Sequence, residues 1–235
     1  MVQTFRGTHE FDRILVKGLG SFIQPIPVGE RVEFIVDEED FIRPTSDATD
    51  WTETLVGAGA TTYLDSVAGV MRFTTAAADD ASVERQRKGE AFSLAVLKPL
   101  WFEARVKVAA AKHVESDVLV GLCITDTDLM PDPGATNGVY FCKDDDDANI
   151  DIVTRLGGTS NKQDNTVDLV ADTWTRLSFY WDGVDTVFFY IDDAYVGKSS
   201  TYIPTTELCV SFSYINGEGG ATTFDIDYYR VIQKR

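Results

Sequence analysis

The chain has 235 residues, and its 38 acidic against 21 basic side chains give a formal charge of −17. A surface this acidic is repelled by phosphate backbones and anionic lipid headgroups, which argues against nucleic acid and membrane as partners. The length suits one well-filled core, and no window approaches the roughly 18 apolar residues of a membrane span.

Residues 1–30 read as an extended arm. The start "MVQTFRGTHEFDR" lacks the basic-then-apolar pattern of a secretory leader. Phe11, Ile14, Leu15, Leu19, Phe22 and Ile23 then fall among Gly18, Gly20, Pro25, Pro27 and Gly29. The prolines remove backbone donors and favour extended chain. Such a segment is too broken to build its own core, yet apolar enough to need a contact. It either lies along the domain or reaches onto a neighbouring subunit, and those six side chains are the candidate partner contacts.

From residue 31 onward, period two dominates and helical period is nearly absent. Strands are expected at 32–36, 61–64, 67–74 and 91–96. The stretch 79–88 could be a short helix or a strand with a turn. "WFEARVKV" sets Phe102, Ala104, Val106 and Val108 against Trp101, Glu103, Arg105 and Lys107. Further strands are expected at 118–125, 138–142, 150–155, 174–181, 186–191 and 194–197. "ELCVSFSY" alternates Leu208, Val210, Phe212 and Tyr214 with Cys209, Ser211 and Ser213. "FDIDYYRVI" alternates Phe224, Ile226 and Tyr228 with Asp225, Asp227 and Tyr229. Asp182-Gly183, Asp192-Asp193, Asn216-Gly217 and Gly219-Gly220 supply hairpin turns. A dozen short strands punctuated this way describe an all-β antiparallel β-sandwich or jelly roll over residues 31–235.

The candidate chemistry is sparse. Cys123, Cys142 and Cys209 lie apart in strand-like runs, where a thiol behaves as a small hydrophobe. Zinc lacks a ligand set, with only His9 and His113 to help, and neither histidine has a nucleophile-elbow context. In "CKDDDDANID", Asp145, Asp147 and Asn149 open like a calcium loop, but Ile150 and Leu156 replace its glycine and closing glutamate. The run therefore reads as a solvated hairpin turn, with loose calcium binding as the alternative. Arg85, Arg87 and Lys88 form a small basic island, read as a solvated turn or an intersubunit salt bridge. Of Trp51, Trp101, Trp174 and Trp181, Trp101 stands on a polar face and is the candidate for stacking a sugar.

Three segments resemble the concanavalin A-like lectin/glucanase jelly roll. "LWFEARVKV" is similar to the F-E-A-R-x-K strand of laminarinase-type glucanases. "TWTRLSFYWDGVDTVFFYIDDAYVGKS" resembles their paired strands and Y-I-D-G turn, and "FDIDYYRVIQ" their final strand. The resemblance covers about 34–233 and implies that fold. It also implies where catalysis would sit: on an E-x-D-x-x-E strand after F-E-A-R, whose alternate carboxylates face the sugar, the two reacting ones about 5 Å apart in retaining enzymes. "HVESDVLVG" offers Glu115 and Asp117, but Val120 takes the third position and the stretch reads as the connecting turn. By order along the chain the match is "NGVYFCK", which has no carboxylate.

The expectation is a non-enzymatic protein without a cofactor. By analogy with phage proteins that resemble this fold stripped of its active site, it is a structural virion protein of a tailed bacteriophage, a decoration or cement protein on the head surface. It would be made in the host cytoplasm without a signal peptide and would bind the major capsid protein or another virion protein. Self-association is expected, with a trimer as one closed arrangement. The alternatives are a carbohydrate-binding module of a tail fibre or surface assembly, and a divergent glycan hydrolase or lyase.

Overall fold

The computed structural model describes residues 34–42, 47–64, 69–110, 113–130 and 134–235. The arm, with Phe11, Ile14, Leu15, Leu19, Phe22 and Ile23, lies outside the described residues. In chain order the elements are β1 (Phe34–Glu39), the single turn α1 (Asp47–Asp50), β2 (Trp51–Val56), β3 (Ala60–Leu64), β4 (Val70–Thr74), β5 (Ala81–Arg87), β6 (Leu100–Val108) and β7 (Ser116–Cys123). Then come β8 (Gly138–Lys143), β9 (Asn149–Leu156), β10 (Thr159–Asp168), β11 (Thr175–Trp181), β12 (Val187–Ile191), β13 (Ala194–Ser199), β14 (Cys209–Asn216) and β15 (Thr223–Lys234).

The strands form two antiparallel sheets. One runs β13-β12-β11-β6-β15-β4-β3, with β1 also paired to β15; the other runs β10-β9-β8-β7-β14-β5-β2. β15 is long enough to serve two neighbours on one side, β4 beside its first half and β1 beside its second.

Alternation decides which residues meet between the sheets. From β6, Phe102, Ala104, Val106 and Val108 enter the main core with Val120 and Leu122 of β7, Phe141 of β8 and Val210, Phe212 and Tyr214 of β14. Phe102 and Phe179 stack at 4.8 Å, and Phe141 meets Phe189 edge-on at 5.5 Å. Offset and edge-on ring pairs add to the free energy of burying that area.

The structure differs from the sequence expectation in four places. Residues 91–96 form no strand, only a single bridge between Phe92 and Leu208. β5 fills the ambiguous 79–88 stretch, and β2 and β10 are strands that alternation did not reveal. Of the basic island, Lys88 is exposed in the bend after β5, but Arg85 and Arg87 lie on that strand and not in a solvated turn. Arg85 is buried on β5 over the Trp51 ring and paired with Glu53 at 3.0 Å, while Arg87 pairs with Asp37 and Asp50.

In β15, finally, a bulge between Ile226 and Tyr228 reverses the phase of the strand. Tyr229, not Tyr228, enters the core, edge-on to Trp51 and donating its hydroxyl to Asp37. Tyr228 turns outward and donates to Glu103 at 2.7 Å. An extra residue in one strand has this consequence wherever side chains alternate. In urea unfolding, Tyr229→Ala is expected to cost about 3–5 kcal/mol, as for other large core truncations. Tyr228→Ala should cost about 1.5 kcal/mol, the worth of its charge-assisted hydrogen bond. The reverse order would contradict the bulge.

Candidate functional site: the outer face of the seven-stranded sheet

The strand matching the catalytic strand of the resemblance is β8. Val139 and Phe141 point into the core, so Gly138, Tyr140 and Cys142 occupy the outward positions where carboxylates would stand. These positions are closed off. Tyr140 and Cys142 belong to a second apolar cluster with Leu119 and Cys123 of β7 and Val153 of β9. Leu129 and Ala135, from the connection between β7 and β8, complete that cluster, and Ile124 and Met130 pack against it. Gly121 lets β7 and the Tyr140 segment of β8 come close, since a Cβ there would lie 2.4 Å from the Val139 carbonyl oxygen and 2.6 Å from Tyr140.

Polar side chains of β5 hold this connection down. The Gln86 amide donates to the Ile124 carbonyl at 3.0 Å and to Ser211 at 2.9 Å, and its oxygen accepts the Asp126 N–H at 2.9 Å. Glu84 Oε1 accepts the Leu129 N–H and the Ser213 hydroxyl, each at 3.1 Å. Glu90 accepts the Thr125 N–H at 2.6 Å. Burial pushes the Glu84 carboxyl above its ordinary range, against those hydrogen bonds.

The four aspartates close the β8–β9 hairpin beside this face. Asp145 Oδ1 accepts the Asp146 N–H, Asp146 takes a positive φ of 60°, and Asp147 Oδ1 accepts both the backbone and side-chain N–H of Asn149. The oxygens of Asp145 and Asp147 thus serve the turn, and the Asn149 amide points a donor at Asp147.

Two lysines supply positive charge here. Lys143 is buried, with Nζ donating to the carbonyls of Val114 (2.7 Å), Ser116 (2.5 Å) and Asp144 (3.0 Å). Desolvation lowers its pKa, opposed by the surrounding aspartates. Lys162 of β10 pairs with Asp144 and lies 3.0 Å from Asp151. Desolvation would lower the Lys162 pKa, but these carboxylates raise it on balance.

Among the described residues, Cys142, Asp144 and Asp151 bring ligand atoms within 4.8 Å of one another. The Lys162 ammonium already bonds both carboxylates, and burial pushes the Cys142 thiol well up, so the group is an ion-pair cluster with its own cation.

Asp117 lies on β7 rather than in a turn, and Val120 is in the core, so the E-x-D-x-x-E spacing is not continued outward. Asp117 accepts the Asp145 N–H at 2.8 Å, and burial raises its pKa to about 6, with Asp145 and Asp144 adding repulsion.

Trp101, the candidate sugar platform, is 2% exposed. Its strand face is not solvated, because Phe34, Tyr180, Tyr190 and Ile232 pack with it into a third cluster, and a ring so enclosed offers no face to a sugar. Trp51 and Trp181 are likewise buried. Trp174 is half-buried, with Arg105 and Lys107 over its ring at 5.1 and 4.8 Å. All three cysteines are free and buried.

No protein-family model matches the chain, and no curated protein matches its sequence. Solved structures do match its shape. A protein of unknown function from Shewanella oneidensis MR-1 superposes with a TM-score of 0.61 at 13% identity, over 100% of this chain and 97% of that one. The β-glucanase of Bacillus licheniformis gives 0.61 at 15% identity, over 85% and 98%. The potassium-bound carbohydrate recognition domain of Emp46p gives 0.56 at 12% identity, over 82% and 94%. The fold is the concanavalin A-like jelly roll. At these identities the likeness is one of fold, which hosts glycan-cutting and glycan-binding proteins alike.

The Asp117 geometry gives a pH-dependent expectation. Its folded pKa of about 6 lies above the ordinary aspartate value of 3.8, so the folded state holds the proton more tightly. The stability this contributes is complete below the unfolded pKa and is lost as pH rises through the folded one. Asp117→Asn, which keeps the acceptor for Asp145, should therefore stabilise the protein by about 1–2 kcal/mol near pH 7.5, after discounting for solvent screening, and by almost nothing near pH 4. Equal effects in thermal melts at the two pH values would contradict this assignment.

Proposed function

We propose that the chain is a non-catalytic jelly-roll scaffold acting by association, as a structural virion protein of a tailed bacteriophage that decorates or cements the head shell. One observation carries the non-catalytic part: the outward positions of β8 hold Gly138, Tyr140 and Cys142, and the latter two are packed in one cluster with Leu129 and Ala135. Retaining glycoside chemistry needs two carboxyls on an open face about 5 Å apart, with water able to enter. Here one strand carries neither acid, and its neighbouring segment occupies the space.

The virion reading is supported by analogy with phage proteins that resemble this fold without its active site. The chain's composition agrees with it. A charge of −17 keeps free subunits soluble before assembly. The apolar arm offers area that a seam between subunits could bury. In this reading the partners are the major capsid protein or another virion protein. Copies of the chain associate by closed symmetry, a trimer among the options, on the outside of the head.

A second reading, a carbohydrate-binding module of a tail fibre or surface assembly, is favoured by the exposed Tyr195 and Tyr202, 56% and 44% accessible, on a fold shared with a carbohydrate recognition domain.

The experiments separate these readings. Sedimented with virion heads assembled without it, the chain should pellet at a saturating copy number; recovery in the supernatant would contradict the decoration role. A glycan array should show no binding, whereas binding lost on Tyr195→Ala would favour the second reading. Incubation with β-glucan, glucuronan and alginate should release no new chain ends. Turnover abolished by Asp117→Asn would overturn the non-catalytic assignment.

A further inference from the structure

Two of the buried thiols stand directly opposite each other. Cys209 of β14 is the register partner of Cys123 of β7, and both are fully buried. Cys209 Sγ lies 3.4 Å from the Cys123 carbonyl oxygen. The Ser211 hydroxyl stands beside both thiols, 3.8 Å from Cys209 Sγ and within hydrogen-bonding reach of Cys123. Gly138, the partner of Cys123 on β8, leaves room for its sulfur, since a Cβ there would lie 3.0 Å from Cys123 Sγ. Opposed residues of an antiparallel pair have Cα atoms about 4.5–5.5 Å apart, inside the range of about 4.4–6.8 Å that a disulfide spans. Cys142 is placed differently. It faces Leu119, which precedes Cys123 by four positions on β7, or about 13 Å, and Cys209 stands one strand further off.

We propose that Cys123 and Cys209 are a disulfide-forming pair, which a small disulfide oxidant such as oxidised glutathione converts into a cross-strand link between β7 and β14. One cysteine thiolate attacks the oxidant and expels one glutathione thiol. The second cysteine attacks the resulting mixed disulfide and expels the other. The two cysteines lose two protons and two electrons, and one oxidant disulfide becomes two thiols. The connection between β7 and β8 governs access. Cys123 is the last residue of β7, and Ile124 and Thr125 begin that connection. The Gln86 amide donates to Cys209 Sγ at 3.6 Å and to the Ile124 carbonyl at 3.0 Å, so one side chain holds both the thiol and the covering segment. Thr125 Oγ1 lies 3.9 Å from Cys209 Sγ. While the connection is closed, burial holds both thiols above their ordinary pKa, and the thiolate that must attack is scarce. The pair reacts when the connection lifts, and the bond then ties the strand it departs from to β14. The inference concerns the sheet alone and does not depend on the virion reading. If that reading holds, subunits made in a reducing cytoplasm gain the link after release into oxidising surroundings.

Peptide mapping of the full-length chain tests this. The reduced protein is incubated with oxidised glutathione in mildly alkaline buffer, alkylated in denaturant at intervals, digested without reduction and read by mass spectrometry. The Cys123 and Cys209 peptides should become linked to each other, with Cys142 still alkylated. Gln86→Ala, which releases the start of the connection, should speed the linkage severalfold. If that variant unfolds, urea below the unfolding transition of the native chain should give the same acceleration. Three alkylated thiols after prolonged oxidation, with the connection released in either way, would overturn the proposal. Glutathione retained on Cys123 or Cys209 would overturn it too, since the second thiol would then be out of reach. So would links that engage Cys142, because these require the sheet to come apart.

Discussion

A two-layer sandwich must bury one face of each sheet, and ordinarily water takes the other. The constraint that organises this molecule is that the seven-stranded sheet is closed on both sides. Its inner face packs on the aromatic core, and its outer centre is roofed by Leu129 and Ala135. That roof is irregular chain, whose backbone amides need acceptors once water is removed. β5 provides them through Glu84 and Gln86, which explains why these two polar side chains are buried on one face of that strand. Losing either would leave buried amides unpaired, at about 1–3 kcal/mol each. The seal and the polar strand are therefore one device, and a surface that on this fold can face a ligand becomes part of the interior.

Electrostatics follows the same division. The chain carries a large excess of acid, yet some of its basic groups are drawn into the fold and held by fixed partners. Arg85 lies under Trp51, Lys143 is held by three carbonyls, and Lys162 stands between Asp144 and Asp151. Burial raises the carboxyls of Asp37, Glu84, Glu103 and Asp117 above their ordinary range. All four shifts have the same sign, so they favour the folded state more in mild acid than at neutral pH. Repulsion among the surface carboxylates acts in the same direction.

How much of this was legible in the sequence depends on whether a signal was local. β6, β8 and β14 were visible because strict alternation reports a strand with an apolar inner face. The absence of carboxylates from "NGVYFCK" was equally plain, being a matter of residue identity at a position fixed by order along the chain. The assignment of faces failed where burial came from afar. Trp101 stands among charged neighbours and reads as exposed, yet Tyr180 and Tyr190, far along the chain, enclose it. Tyr228 and Tyr229 exchanged roles because a bulge leaves no mark on composition. "ASVERQR" gave no clear period because both faces of β5 are buried, one bearing Arg85 and the other Glu84 and Gln86. The importance of Lys143 was hidden for a similar reason: three carbonyls on other segments define its site.

The central claim, that the outer face of the seven-stranded sheet is sealed by its own connection, is tested most directly by hydrogen exchange at the backbone amides of Thr125, Asp126 and Leu129. These amides donate to the side chains of Glu90, Gln86 and Glu84. The account predicts that Asp126 and Leu129 are protected to the level of the neighbouring strand amides of Val120 and Phe141, and that added glucan oligosaccharides leave that protection unchanged. Exchange at the rate of a free loop, or an opening induced by sugar, would contradict it.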